Sequence, residues 1–370
     1  MARIIYALSG QGRGHTSRGM AIAEGLRGRG HHVRFCGGGA AQKILQAQGE
    51  DVIPVRQLQT VLRNNTVQAR ATIWANWPSI RNLDQIVRKL ANQISEWKAD
   101  MVITDFEAFS WRAANLLDLP VISLNHQQIV TETCYALPTR HKYHANLARI
   151  VINVVAPRTP NRLLLSSFFY PEVKRPDITT IVPPIIRSEI VRIKPTEGEH
   201  ILVYYNQPEG SQPLLEHLRA DGRRYIVYNF PKPGDTSSYP NITFKPACVE
   251  EFLGDLAECR GVLCTAGFTL LSESLYLGKP LMVVPNRGIF EQTLNAIFLE
   301  RETLGKAVIG RNVSADDLEQ FHGYIDSKSN MNHSWNVRGN SQAIDLIEEE
   351  LHISATPRAH IRTKSRKAHT

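Results

Sequence analysis

Short apolar runs alternate with amphipathic stretches along the chain, and the alternation starts over near its middle. In the first half the runs 4–9, 33–36, 101–104 and 121–124 predict strands. The stretches 18–28, 42–48, 83–98 and 110–117 between them predict helices. The second half predicts strands at 201–205, 225–228, 242–244, 262–264, 281–284 and 307–309, with helices at 214–220, 250–258, 270–277, 290–300 and 315–325. Strand-then-helix order of this kind argues for two parallel, doubly wound sheets, each covered by helices on both faces. Between them lies a segment with Pro176, Pro183, Pro184 and Pro195, which opposes helix and favours an extended connector. The expected organisation is an N-terminal acceptor-binding domain at 1–181, a linker at 182–196, a C-terminal donor domain at 197–339, a helix at 340–352 and a basic, disordered tail at 353–370. Two such domains face each other across a cleft, and ligands of open α/β sheets bind at the carboxyl ends of strands.

Composition narrows the class without naming it. Hydrophobic residues make up 42% of the 370 and charged residues 21%, as in an ordinary globular chain. The five cysteines are unclustered and contain no C-x-x-C pair, which suits a reducing compartment and argues against structural zinc. Cys36 and Cys264 fall in predicted strands, as small core residues. No run reaches the roughly 18 apolar residues that a membrane-crossing helix needs. The N-terminal run lacks the basic, apolar and small-residue order of a signal peptide. The expected location is therefore the cytoplasm, with peripheral attachment to the inner membrane face.

Charge adds a partner. The net charge of +8 is unevenly spread. No acid occurs between 52 and 83, where Arg56, Arg63, Arg70 and Arg81 stand, nor between 133 and 171, where Arg140, Lys142, Arg149, Arg158 and Arg162 stand. Such asymmetry suits an anionic partner. Trp74 and Trp77 lie among the first set of arginines, a mixture suited to a membrane interface. Arg56, Arg63 and Arg70, at heptad spacing, would share one face if that stretch were helical. The bland alternative packs the tryptophans in the core and leaves the arginines in water.

Two motifs follow predicted strands. The first, Ser9-Gly10-Gln11-Gly12-Arg13-Gly14-His15, is a glycine-rich turn opening a helix whose free N–H groups can hold an anion. It mimics a dinucleotide fingerprint, but His15 stands for the third glycine and the second strand ends in Gly37-Gly38-Gly39 without an acid. At such a corner His15 can accept a proton from an attacking hydroxyl at neutral pH. Asp105 and Glu107, after the strand at 101–104, could serve as base instead or orient His15. A helix N-terminal acid is the plainer reading of either.

The second motif runs from Thr265 through Gly267, Phe268, Thr269 and Glu273 to Gly278-Lys279-Pro280. Gly267 permits close approach of a ligand, the hydroxyls of Thr265 and Thr269 can donate, and the helix N-terminus can hold a diphosphate. Glu273 can accept both hydroxyls of a ribose. After the next strand, Glu291 and Gln292 at the start of a helix, with Asn295 one turn on, suit sugar hydroxyls.

Together these blocks resemble the donor half of GT-B glycosyltransferases, and above all the group of the lipid II-forming N-acetylglucosaminyltransferase and the monogalactosyldiacylglycerol synthase. The resemblance implies that Glu273 holds the donor ribose, that Gly267 to Thr269 with Gly12 and Gly14 hold the diphosphate, and that Glu291, Gln292 and Asn295 read the sugar. It implies a base-binding role around Lys245-Pro246 and His15 as catalytic base or organiser. Arg13 and Arg18 are the candidate acceptor contacts, and Arg18 departs from the pattern, standing where the lipid II enzyme carries a proline. Retaining members carry a second glutamate where Thr265 stands here, so inversion is expected. There is no D-x-D pair, and neither a metal nor another cofactor is expected; a nucleotide sugar, with UDP as the expected nucleotide, is the co-substrate. Rival readings are a nucleotide-sugar 2-epimerase, whose D-S-G-G-x-x-E-E signature is absent, and a non-catalytic nucleotide-sugar-binding regulator. Nucleic acid is not an expected partner, since no helix-turn-helix, zinc or RNP signature accompanies the charge.

Overall fold

The computed structural model describes all residues except 11–12, 60, 64–65, 206–211, 247, 330–336 and 356–370, with backbone alone at 62–63, 66–67, 69, 329 and 355. Gly12, the loop Asn206-Gln207-Pro208 and the basic part of the C-terminal tail therefore lie outside the described residues.

Two parallel sheets form the frame. The first has seven strands, in the order Val52–Pro54, His32–Gly37, Arg3–Leu8, Met101–Asp105, Val121–Asn125, Arg162–Ser166 and Thr179–Val182. The second has six, in the order Ile242–Lys245, Tyr225–Tyr228, Ile201–Tyr204, Gly261–Cys264, Leu281–Val283 and Lys306–Ala307. Central strands such as Met101–Asp105 and Gly261–Cys264 are buried along their whole length, which is why they read as near-continuous apolar runs. Cys36 and Cys264 are core residues, as expected.

Each sheet winds one way from its first strand and then the other. The order reverses between Arg3–Leu8 and Met101–Asp105, where Leu8 sits opposite Asp105. It reverses again between Ile201–Tyr204 and Gly261–Cys264, where Tyr204 sits opposite Cys264. A crevice opens at the carboxyl ends of strands where such a reversal occurs, so the fold alone directs both motifs to one place.

Several elements differ from expectation. The first helix is Arg13–Gly28, so the second half of the glycine-rich motif is its first turn rather than a loop. Strands Arg162–Ser166 and Thr179–Val182 extend the first sheet. The Pro-rich connector contains a short helix, Ser188–Arg192. Arg56, Arg63 and Arg70 do not share a helical face: Arg63 lies in the short strand Leu62–Arg63, and the helix carrying Arg70 starts at Ala69.

The two domains share an apolar core. Phe168, Phe169 and Ile190 pack in one cluster with Phe268, Phe290 and Phe298, and Phe169 stacks on Phe298 at 4.0 Å between ring centres. The helix Asn340–Ala355 follows the second sheet but crosses back to the first, where Ala343, Ile344 and Ile347 join the cluster of Ile22 and Leu26. A Cβ on Gly25 would stand 2.2 Å from Ile344 Cδ1, so a larger residue there would have to displace the Ile344 side chain. Asn340 stitches the two chain crossings together: its Oδ1 accepts from the N–H of Ile186 at 3.0 Å and its Nδ2 donates to the carbonyl of Ile186 at 2.8 Å.

Candidate active site

The cavity between the domains has a volume of about 340 Å³, within the range of small-molecule sites. The helices Arg13–Gly28 and Phe268–Tyr276 both direct their N-termini into it, one from each domain. Gly14 makes the approach feasible: a Cβ there would lie 2.3 Å from Thr269 Oγ1. Unsatisfied N–H groups and helix dipoles converge on this wall, which makes it a place for a doubly charged anion.

On the first domain's side His15, 12% exposed, faces the cavity from the first helical turn. Its Nδ1 lies 2.8 Å from Asp105 Oδ1. Asp105 ends the strand Met101–Asp105 and is fully buried. An ionised carboxylate only accepts, so Nδ1 carries the proton and Nε2 is the free base nitrogen. Arg18, one helical turn on, is 4% exposed and grips the same carboxylate, with Nε 2.9 Å from Oδ2 and Nη2 2.6 Å from Oδ1. Burial alone would raise the Asp105 carboxyl; Arg18 and His15 outweigh it and hold the group below its ordinary value.

Arg18 borders the cavity too, with its guanidinium engaged by Asp105. Arg13 stands beside it on the wall. Glu107 is corrected as a base. Its carboxylate accepts from the N–H groups of Phe109 and Ser110, at 3.0 and 2.6 Å, and caps the helix Ser110–Leu116. Burial pushes its ionisation up, against those backbone donors. It is a structural acid outside the cavity wall rather than a base.

On the second domain's side Thr265, Gly267, Phe268, Thr269 and Glu273 line the cavity, as does Glu291. Nothing lies within 4 Å of a Cβ built on Gly267, so the backbone is open to a ligand. Glu273 is buried and meets Arg187, with Nη2 2.9 Å from Oε2 and Nε 2.8 Å from Oε1. Burial raises the Glu273 carboxyl, and Arg187 opposes the rise. Tyr204, Tyr228, Val249 and Phe252 give the cavity a largely aromatic and apolar wall. Lys245, expected beside the nucleotide base, is engaged by Asp255 at 2.7 Å, and Pro246 follows it on the surface.

Gln292 and Asn295, expected to read the sugar, are not on the cavity wall and are engaged within the protein. Gln292 Oε1 accepts from the N–H of Asn286 at 2.9 Å and holds the turn before its own helix. Asn295 is fully buried: its Oδ1 lies 2.7 Å from His126 Nε2, and its Nδ2 donates to the carbonyl of Ala266 at 3.1 Å. His126 lies flat on Phe268 at 3.9 Å, and its Nδ1 is 2.7 Å from the carbonyl of Ser166. Burial pushes the His126 ring's ionisation down from its ordinary value. The pair His126–Asn295 is thus a strut between the domains, just beneath the turn that carries Gly267.

Sequence reasoning missed His126, Gln127 and Arg187. His126 and Gln127 directly follow the strand Val121–Asn125, and Gln127 Oε1 lies at the cavity without a partner among the described residues. Their position at a strand's carboxyl end was the available signal. Arg187 stands in the connector, where composition pointed to a passive link.

Comparison with known proteins fits this geometry. The family described as Glycosyl transferase family 1 matches residues 2–325. An uncharacterized glycosyltransferase of Methanosarcina acetivorans is 22% identical over 324 residues, covering 82% of this chain and 85% of that one. The UDP-N-acetylglucosamine--N-acetylmuramyl-(pentapeptide) pyrophosphoryl-undecaprenol N-acetylglucosamine transferase of Brucella canis is 24% identical over 299 residues, covering 76% and 74%. Among solved structures, MurG of Acinetobacter baumannii superposes with a TM-score of 0.61 at 15% identity, over 94% of this chain and 100% of that one. The calicheamicin glycosyltransferase CalG4 superposes with 0.64 at 16%, over 96% and 99%. The fold is GT-B.

Proposed function

Since the chain belongs to glycosyl transferase family 1 and is a glycosyltransferase, we propose that it moves a sugar from a nucleoside diphosphate, UDP being the expected one, to an acceptor hydroxyl in one inverting displacement. The acceptor oxygen attacks the anomeric carbon as His15 Nε2 takes its proton. The bond from that carbon to the phosphate oxygen breaks, and the nucleoside diphosphate leaves with the electron pair. Its charge is met by the helix N-terminus at Gly267 to Thr269 and by Arg187; Glu273 turns to the ribose, and Glu291 to the sugar. No metal takes part in this scheme. The observation that carries the reading is a histidine held by a buried carboxylate, across one cavity from a helix N-terminus with an acid one turn inside it.

Calorimetric titration with UDP, GDP, dTDP and ADP tests the donor half. One diphosphate is expected to bind selectively, and Glu273→Ala to weaken it on the order of 10²-fold through the loss of two charge-assisted hydrogen bonds. Absence of binding by all four would sink the transferase reading and favour a regulator.

The reading extends to the acceptor's setting, an anionic membrane surface. Among the described residues no helix is long and apolar enough to cross a membrane, so contact would be peripheral. The helix Ala69–Arg81 is built inside out. Asn76 and Ser79 are buried, and Asn76 exchanges hydrogen bonds with the backbone of Gln59 at 2.7 and 2.8 Å. Ile73, Trp74, Trp77 and Ile80 face outward, Trp74 at 78% and Trp77 at 56% exposure. Arg70 and Arg81 flank them, exposed. An apolar aromatic face between cations suits the lipid interface. Trp74→Ala with Trp77→Ala is expected to reduce flotation on vesicles containing phosphatidylglycerol at low salt by about tenfold or more, given the apolar area withdrawn. Equal flotation of the double variant, or none by the parent protein, would remove this part.

A further inference from the structure

We infer that Arg18 is a positioning residue for the reaction just proposed: its two-pronged hold on Asp105 fixes the carboxylate that keeps the His15 proton on Nδ1, and so leaves Nε2 free to accept another. The inference rests on the reading of His15 as the base, but its first test does not need the reaction.

The carboxylate of Asp105 has two claimants, His15 and Arg18. Arg18 cannot lose its proton in a protein, so it neutralises Asp105 permanently. It takes Oδ2 with Nε at 2.9 Å and Oδ1 with Nη2 at 2.6 Å. The fork also fixes the plane of the carboxylate, which leaves Oδ1 aimed at His15 Nδ1, 2.8 Å away. Nη2 itself stands 3.1 Å from that nitrogen. Both are donors in this arrangement, so a further positive charge on the ring would meet a guanidinium at contact distance.

The remaining neighbours do not reverse this balance. Tyr6, under the pair, is buried and its hydroxyl is held neutral by that burial. Phe106 lies parallel to the His15 ring at 6.5 Å and brings no charge. Glu291 and Arg13, the charged side chains on the cavity wall from the helix Phe290–Arg301 and from the first helix, are of opposite sign. Position explains why Arg18 can act so: residues three apart on a helix share a face, which sets it beside His15 over the end of the strand that supplies Asp105.

The test labels histidine with ¹⁵N in the full chain and follows the His15 ring by NMR against pH, without donor or acceptor, using His15→Gln for assignment. Arg18→Lys keeps the charge and loses the fork, and Arg18→Met loses both; in each the share of the Nδ1-protonated tautomer of the neutral ring should fall relative to the parent protein. An unchanged tautomer ratio in the lysine variant would overturn the inference, and that variant decides if the methionine variant does not fold. In turnover, Arg18→Lys should lower kcat with KM unchanged; a rise in KM at unchanged kcat would mean that Arg18 touches substrate rather than positioning His15.

Discussion

With His15 replaced by alanine, turnover of the donor identified by calorimetry falls about 10²- to 10⁴-fold, the usual worth of a positioned general base, while nucleotide affinity stays within about threefold. The split follows from the geometry. His15 is bound to Asp105 from behind and faces the cavity from the first domain, whereas most of the groups expected to hold the nucleotide and diphosphate sit on the second domain and the connector. Removing the ring therefore removes a contact to the attacking oxygen and leaves the donor's contacts in place. Release of nucleoside diphosphate, measured beside a binding titration, separates the two quantities. Wild-type turnover in the alanine variant would move the base elsewhere. A parallel loss of affinity would make His15 a donor ligand.

The other large effect is on stability. Asn295→Leu, which keeps the heavy-atom count but adds bulk, is expected to cost about 2–6 kcal/mol in a urea unfolding experiment, because it strands two buried groups at about 1–3 kcal/mol each. His126 Nε2 and the Ala266 carbonyl both lose their partner, and both are fully buried, so water does not replace it. The same substitution should lower donor affinity, since Ala266 leads directly into the turn at Gly267. A cost below about 0.5 kcal/mol would mean that the strut is not a determinant of domain packing.

The sheets were legible because buried parallel strands leave short apolar runs bounded by turn residues, as at 225–228, where expectation and observed strand coincide. Strand Arg162–Ser166 escaped notice for the opposite reason: it sits inside the basic, acid-free stretch whose charge drew the reading. The helix Ala69–Arg81 could not be read from periodicity, because that method assumes apolar residues turn inward, and here they turn outward. At the site, motif spacing brought His15, Gly267 and Glu273 to one cavity. It failed for Gln292 and Asn295. Adjacent residues on a helix point about 100° apart, so Glu291 reaches the cavity while Gln292 beside it turns to the loop and Asn295 to the other domain. Arg18 read as an acceptor contact because sequence does not reveal that a carboxylate 87 residues away lies beside it.

The helix Asn340–Ala355 imposes an order on synthesis. The apolar stripe of the first helix, with Ile22 and Leu26, is closed by Ile344 and Ile347, which leave the ribosome more than three hundred residues later. At roughly 5–20 residues per second, that stripe waits on the order of 15–60 s for its cover. During translation the first domain is thus an unfinished body with a sticky flank, and the nascent chain must keep that flank from other partners until the second domain has been made.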